Sequence, residues 1–172
     1  MRLKDKVIII TGATSGIGRA IAIRAVKEGA KVLVHGIDQS EGQKVVDHLG
    51  KSAVLCIADL ADAATPKKIA DAAILAFGQI DGLVNNAAII ERNNLSQLTP
   101  EAFSKTITIN LQSALFLIQA CYEHLKKSKG AVLNIGSINA YSGESSLLAY
   151  SIGKAGLQTM TRNLANAHGV DQ

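Results

Sequence analysis

Val7-Ile8-Ile9-Ile10-Thr11-Gly12-Ala13-Thr14-Ser15-Gly16-Ile17-Gly18 opens on four apolar β-formers and runs into a turn holding three glycines. Helix-forming residues resume at about Gly16. A strand, a glycine-rich turn and a helix start in that order aim backbone N–H groups and a helix N-terminus at one point, where a diphosphate is well received. In this arrangement Gly12 permits the tight turn, Gly16 lets backbone approach an anion, and Gly18 lets helix and strand pack closely. The spacing is G-x-x-x-G-x-G. No Gly-Lys-Ser or Gly-Lys-Thr follows, so the loop is not the lysine-bearing loop of nucleoside triphosphatases.

Outward from this loop, short β-branched runs alternate with longer helical patterns. Strands are expected at 7–10, 32–34, 53–57, 83–84 and 131–135. Thr65-Pro66 reads as a helix cap followed by proline in the first turn, with Ile69, Ala73, Ala76 and Phe77 as the apolar face up to Gly78. Thr99-Pro100-Glu101 opens another helix, whose apolar stripe runs Phe103, Ile107, Leu111, Ala114, Leu115, Ile118, Tyr122 and Leu125. A last helix begins near Leu148 and fades at Gly169. Strands that are apolar throughout and separated by helices predict an α/β fold: a Rossmann-like, doubly wound parallel sheet with helices on both faces. Five strands are legible, and the usual order of this fold has six. Residues 1–172 therefore read as a single dinucleotide-binding domain, C-terminally incomplete, whose last strands are missing. The expectation is a portion of a longer polypeptide, with a truncated but stable protein as the rival.

Composition narrows the function classes. With 48% hydrophobic residues, 3% aromatic and no Trp, the core is one of Val, Ile, Leu and Ala, as in buried parallel strands. The net charge of +4 is carried by scattered Lys and Arg. The one cluster, Lys126, Lys127 and Lys129, falls at a helix end and complements its dipole, so no nucleic-acid partner is expected. No apolar run approaches the roughly 18 residues of a membrane span, and no membrane partner is expected. Cys56 and Cys121 read as buried free thiols of a reducing compartment, and the N-terminus has no secretory pattern, so a cytoplasmic location is expected. His35, His48, His124 and His168 form no metal-ligand spacing, and no metal is expected.

The chemistry lies toward the end of the chain. Tyr150 and Lys154 stand four residues apart on one helix, Ser137 follows the fifth strand, and Asn110 interrupts an apolar helical stripe. Together with Thr11-Gly12-x-x-x-Gly16-Ile17-Gly18, the Tyr150-x-x-x-Lys154 pair resembles the short-chain dehydrogenase/reductase family. Asp59-Leu60 after the third strand resembles that family's adenine-contacting position. Asn85-Asn86-Ala87-Ala88 resembles its Asn-Asn-Ala-Gly stretch, with Ala88 in place of the glycine. Asn110 sits in the long fourth helix where the family keeps a catalytic asparagine, and Ser137 precedes Tyr150 at the family's spacing. The resemblance runs the whole length of the chain.

It implies an NAD(P)-dependent oxidoreductase that moves a hydride between nicotinamide and a small carbonyl or secondary-alcohol substrate. Tyr150 would be the general acid and base. Free tyrosine holds its proton up to about pH 10, and an ammonium one helical turn away favours the phenolate. The Lys154 ammonium would also hold a nicotinamide-ribose hydroxyl. Ser137 would hydrogen-bond the substrate oxygen, and Asn110 would belong to a water-mediated proton relay ending at Lys154. The cofactor would be held by Gly12, Thr14, Ser15, Gly16, Ile17, Gly18, Asp38, Asp59, Leu60, Asn86, Ala87, Tyr150 and Lys154. The substrate would meet Ser137, Asn139 and Tyr150. A homo-oligomer through the two long C-terminal helices is also implied. The alternative is a catalytically silent dinucleotide-binding or assembly protein.

NAD and NADP both remain open as cofactor. Aligned on the second strand, Gly36 takes the place where NAD users carry an acid. Ile37 stands where NADP users carry an arginine, and Ser15 is neither the Arg nor the Lys often found in an NADP loop. Asp38, about 20 residues beyond Gly18, either reaches the ribose or caps the next helix. The balance leans to NAD. Residues 89–91 and 138–141, with Glu144 and Leu147 further out, are expected to wall the substrate. Asn139, Tyr141, Ser142 and Glu144 make that wall polar, which suits a sugar or polyol.

Overall fold

The computed structural model describes residues 1–169. In chain order the elements are β1 (Val7–Ile10), α1 (Gly16–Lys27), β2 (Lys31–Gly36), α2 (Gln39–Leu49), β3 (Ala53–Ile57), α3 (Thr65–Phe77), β4 (Gly82–Asn85), α4 (Pro100–Ile107), α5 (Ser113–Ser128), β5 (Ala131–Asn134) and α6 (Leu148–His168). The strands form one sheet of order β3-β2-β1-β4-β5, parallel throughout. After β3 the chain crosses back to pair β4 with β1. The strand order therefore reverses between β1 and β4, and the crevice outside their C-terminal ends is where this architecture receives ligands.

Each central strand feeds two cores because successive side chains point to opposite faces. Ile9, Leu33 and Leu83 pack under α3 and α5 with Ile69, Ala73, Leu117 and Cys121. Ile10, Val32, Val34 and Val84 pack under α1 and α2 with Ala22, Ala25 and Val45. This is why the strands carry no polar alternation. Truncating Ile9, which has no exposed surface, is expected to cost about 3 kcal/mol through lost transfer energy and an unfilled cavity. β5 has the same apolar character but lies at the sheet edge. Leu133, opposite Val84 in the register, keeps 53% of its surface exposed.

At the other end of the sheet Asp81 pins two strand starts. Its carboxylate accepts from Lys6 Nζ at 2.8 Å, the Val7 amide at 2.9 Å and Gln79 Nε2 at 2.6 Å. Burial pushes this carboxyl up, and the three donors more than offset it, so the group sits below its ordinary value.

Two expectations change. The helix opening at Thr99 is not continuous, because Thr108–Gln112 is a π-helical turn between α4 and α5. Beyond it the buried positions are Ser113, Ala114, Leu117, Ile118, Cys121 and Leu125. Leu115, assigned to the buried stripe, is exposed, since one extra residue in the turn rotates the face that follows. Strand β2 is longer than expected, running Lys31–Gly36. Both cysteines are buried free thiols, and burial pushes the Cys121 thiol up to about 12.

Candidate active site

The turn after β1 is held by bonds that reach far along the chain. Thr11 Oγ1 accepts from the Asn86 and Ala87 amides, each at 3.0 Å. Asn86 Nδ2 donates to Thr11 O at 2.9 Å and Gly12 O at 3.2 Å. The Ala13 amide donates to His35 O at 2.7 Å, which hangs the loop from the end of β2. Gly12 has φ +62°, and a Cβ there would stand 2.9 Å from Ala87 Cα. A Cβ on Gly18 would stand 2.3 Å from Gly12 O and 2.6 Å from Asn86 Nδ2. Its close packing is against the turn itself rather than the strand. Gly16 has φ +51°, and space is open where its Cβ would be.

The start of α1 differs from those of α2 and α4. Asp38 caps α2 by accepting from the Glu41 amide, and Thr99 caps α4 by accepting from the Ala102 amide. Ser15 makes no such bond to α1, and the first turn carries no acid. Space is open beside Gly16 at this helix start, and Ile17 next to it is 64% exposed. Uncapped amides at the positive end of a helix beside an open glycine turn fit an anion of diphosphate size.

Of the other residues assigned to cofactor contact, Asp38 and Asp59 follow β2 and β3 on the same edge of the sheet. Asp59 Oδ1 accepts from the Ala61 amide at 2.9 Å. Leu60 has its side chain in the core beside Ile69, so a contact there falls to its backbone. His35 is buried, and its Nε2 faces Ala58 O at 3.0 Å. Burial lowers its basicity, which keeps the ring neutral with the proton on Nε2.

The second cluster lies where β5 meets α6. Lys154 is 3% exposed, and its Nζ donates to Ile135 O at 2.6 Å. The ammonium stands 5.9 Å from the centroid of the Tyr150 ring. No carboxylate among the described residues pairs with it, and burial pushes its pKa below the ordinary lysine value. Ser137 caps the short turn Ile138–Ala140, its Oγ accepting from the Asn139 amide at 3.2 Å, which leaves the hydroxyl proton free to donate. Asn139 Oδ1 accepts from Ser142 Oγ at 3.5 Å.

Asn110 sits inside the π turn, buried. Its Oδ1 accepts from the Ile89 amide at 2.8 Å and its Nδ2 donates to Ile89 O at 2.9 Å. Both ends of the amide are thus engaged in clamping Ile89. A Cβ on Gly153 would lie 3.5 Å from Asn110 Cβ, so α6 passes directly against this turn. The segment after Ile89 is tied down further. Lys105 pairs with Glu91 at 2.9 Å, Arg92 Nη1 donates to Ser146 Oγ at 2.9 Å, and the Asn93 amide donates to Ser146 O at 2.9 Å. These bonds tie Arg92 and Asn93, just beyond the 89–91 segment, to Ser146, which lies between the outer wall residues Glu144 and Leu147. Thr11, His35 and the Ile135 carbonyl escaped the reading of the sequence, although Thr11 stands inside the stretch that decided the fold.

Comparison with known proteins places the chain in a family. Residues 6–172 match the short chain dehydrogenase family. The short chain dehydrogenase adrF of Penicillium rubens is 38% identical over 166 residues, covering 95% of this chain and 64% of its own length. The L-rhamnose 1-dehydrogenase (NAD(P)(+)) of Azotobacter vinelandii is 35% identical over 178 residues, covering 98% of this chain and 70% of its own. A short-chain dehydrogenase/reductase of unknown function from Caenorhabditis elegans, solved with cofactor, superposes with a TM-score of 0.94 at 30% identity. That match covers 99% of this chain and 67% of the other. The chain thus spans about two thirds of the length of the curated relatives it matches.

Proposed function

The chain belongs to the short-chain dehydrogenase family, and from that premise we propose that it works as an NAD(P)-dependent oxidoreductase on a carbonyl or secondary-alcohol substrate. The observation that carries this reading is Lys154, a buried ammonium beside the Tyr150 ring that pairs with no carboxylate among the described residues. Burying an unpaired charge is costly, and a binding module gains nothing from it.

A dinucleotide would be held along the C-terminal edge of the sheet. The amides of Ser15, Gly16, Ile17 and Gly18, with the turn at Gly12 and Thr14 and with Asn86 and Ala87, would hold its diphosphate. Asp38, Asp59 and the Leu60 backbone would serve the adenosine end, and Lys154 would hold the nicotinamide ribose. When bound, the nicotinamide supplies or accepts the hydride. In the reductive direction Tyr150 donates its hydroxyl proton to the carbonyl oxygen as the carbon gains the hydride, and Ser137 donates a hydrogen bond to the same oxygen. In the oxidative direction Tyr150 takes the alcohol proton. The Lys154 ammonium stabilises the phenolate in both. With its amide engaged by Ile89, Asn110 serves the proton relay to Lys154 through its main chain, which the π turn removes from the regular helical ladder.

The polar wall of Asn139, Tyr141, Ser142 and Glu144 favours a hydroxylated substrate of the sugar or polyol class, and the L-rhamnose enzyme among the relatives is in keeping with this. NAD is the favoured cofactor. Leu115 and Phe116 on α5, with Leu148 and Ile152 on α6, are exposed apolar residues that support a homo-oligomer through these helices. Two buried thiols suit the reducing cytoplasm. No described helix is long and apolar enough to cross a membrane.

The test is turnover of a panel of sugars, polyols and secondary alcohols with each nicotinamide cofactor, in wild type and Tyr150→Phe. Turnover by wild type and its loss, by a factor of about 1000 or more, in the variant is the expected result. Near-normal rates in Tyr150→Phe overturn the assignment. Cofactor binding without turnover of any substrate favours the silent binding protein.

A further inference from the structure

We propose that His35 makes the dinucleotide site acid-sensitive: its neutral ring holds the diphosphate turn and the adenosine segment together, and a proton on Nδ1 releases them. This rests on the dinucleotide binding proposed above and adds a means of regulating it. The amides of the turn do not titrate, but the ring that keeps them in place does. His35 is 1% exposed. It stands opposite Cys56 in the register, and alternation along β2 puts its ring on the face of Leu33, under α3.

Two parts of the site hang from this residue. Its carbonyl accepts from the Ala13 amide at 2.7 Å, next to the Gly12 turn. Its Nε2 donates to Ala58 O at 3.0 Å, while the Ala58 amide donates to Gly36 O at 3.1 Å. Asp59 and Leu60 follow directly, and Thr65 Oγ1 donates to Asp59 O at 2.6 Å. The other ring nitrogen decides the response to acid. Nδ1 is buried and has no hydrogen-bond partner among the described residues. Neutral, it is an acceptor lacking a donor. Protonated, it is a donor lacking an acceptor, on a cation inside an apolar core. The surrounding groups do not relieve this. Burial opposes the charged ring most strongly. The Ala58 carbonyl and Asp59 favour it, Lys68 on α3 opposes it, and the ring stays below its ordinary value. Burial raises the Cys56 thiol on β3, so no thiolate is supplied, and β1 presents only Ile9 and Thr11 on this face. Acid therefore favours an opened segment, in which the ring leaves the core and lets go of the Ala58 carbonyl and the turn beside Ala13.

Calorimetric titration of NAD⁺ into wild type and His35→Gln tests this without reference to turnover. Gln keeps an N–H donor for the Ala58 carbonyl and does not titrate. Wild-type affinity is expected to hold level above about pH 6.5 and to fall below it, approaching tenfold per pH unit once the ring charges. In His35→Gln it should stay level down to about pH 5, where carboxylates begin to titrate in both proteins. Ring ¹⁵N resonances of His35 in wild type need no variant. They should report the Nε2–H tautomer at neutral pH, a protonation midpoint that coincides with the fall in affinity, and a lower midpoint when NAD⁺ is bound, as reciprocity of the two equilibria requires. Parallel pH curves for the two proteins, a ring that charges with affinity unchanged, or a ring still neutral at about pH 5 overturns the inference alone. No binding by wild type at neutral pH overturns it together with the functional reading.

Discussion

The phosphate loop and the Tyr150–Lys154 pair lie along the same edge of one sheet and are made of opposite materials. The loop is backbone: positive φ at Gly12 and Gly16, amides left uncapped by Ser15, and no titratable side chain between Thr11 and Gly18. The pair is side chain: an ammonium buried to 3% exposure beside a phenol ring and anchored by a backbone carbonyl. Holding an anion needs dipoles that packing keeps in place, and these do not change with pH. Moving a proton needs a charge beside the group that carries it, and the Lys154 ammonium beside the Tyr150 ring would provide it. On the proposed reading the two regions are separable: the first would govern chiefly dinucleotide affinity and the second chiefly rate.

The largest break in that comparison is expected from Lys154→Met, which removes the ammonium and retains the bulk. Turnover should fall by about a thousandfold, with a much smaller change in dinucleotide affinity. Stability should move the other way. The folded pKa of Lys154 is depressed, so the buried charge costs stability below that pKa, and the cost is relieved as pH rises toward the ordinary lysine value. Lys154→Met should therefore melt higher than wild type at neutral pH, with the difference shrinking toward about pH 10. A lower melting temperature at neutral pH contradicts this.

Gly18→Val tests the other region. Its Cβ would be 2.3 Å from Gly12 O, so the turn must shift, and affinity for NADH should fall by about a hundredfold. A titration that finds it unchanged shows that the turn does not hold the cofactor. Asn110→Ala leaves the Ile89 amide and carbonyl unpaired, and chemical denaturation should register a loss of about 2 kcal/mol. An unchanged midpoint means that water replaces the clamp.

Asp81→Ala, on the far edge of the sheet, sharpens the contrast by touching neither region. It should cost about 1 kcal/mol at neutral pH and leave affinity and rate alone. The Asp81 carboxyl is depressed in the fold. Its contribution is present above the unfolded carboxyl range near about pH 4 and is lost as pH falls through the lower folded value. The variant's stability should therefore fall less on acidification than that of wild type. Parallel curves through the acid range contradict the assignment.

The legibility of these regions in the sequence divides along the same line. Strand order and the two-faced core follow from runs such as Val7–Ile10, because a strand buried on both faces has no polar residues to spare. The glycine loop was legible because only glycine tolerates its backbone. Spacing alone brought Tyr150 and Lys154 onto one turn of α6. The π turn at Thr108–Gln112 was not legible, since apolar periodicity reports faces and is blind to one inserted residue until the pattern beyond it shifts, as at Leu115 and Leu117. The work of Thr11 was hidden for another reason. Its partner amide at Asn86 is 75 residues away, and nothing local marks a threonine as an acceptor for so distant a donor. Leu60 was read with Asp59 as a contact position, and its apolar side chain goes into the core, which leaves its backbone for the proposed contact.

The most direct test of the division between holding and reacting is a single comparison of NADH titrations on wild type, Tyr150→Phe and Gly18→Val. Saturable binding to wild type, matched within about twofold by Tyr150→Phe and weakened about a hundredfold in Gly18→Val, is the predicted result. Loss of binding in Tyr150→Phe as large as that in Gly18→Val, or no binding to wild type, would contradict it.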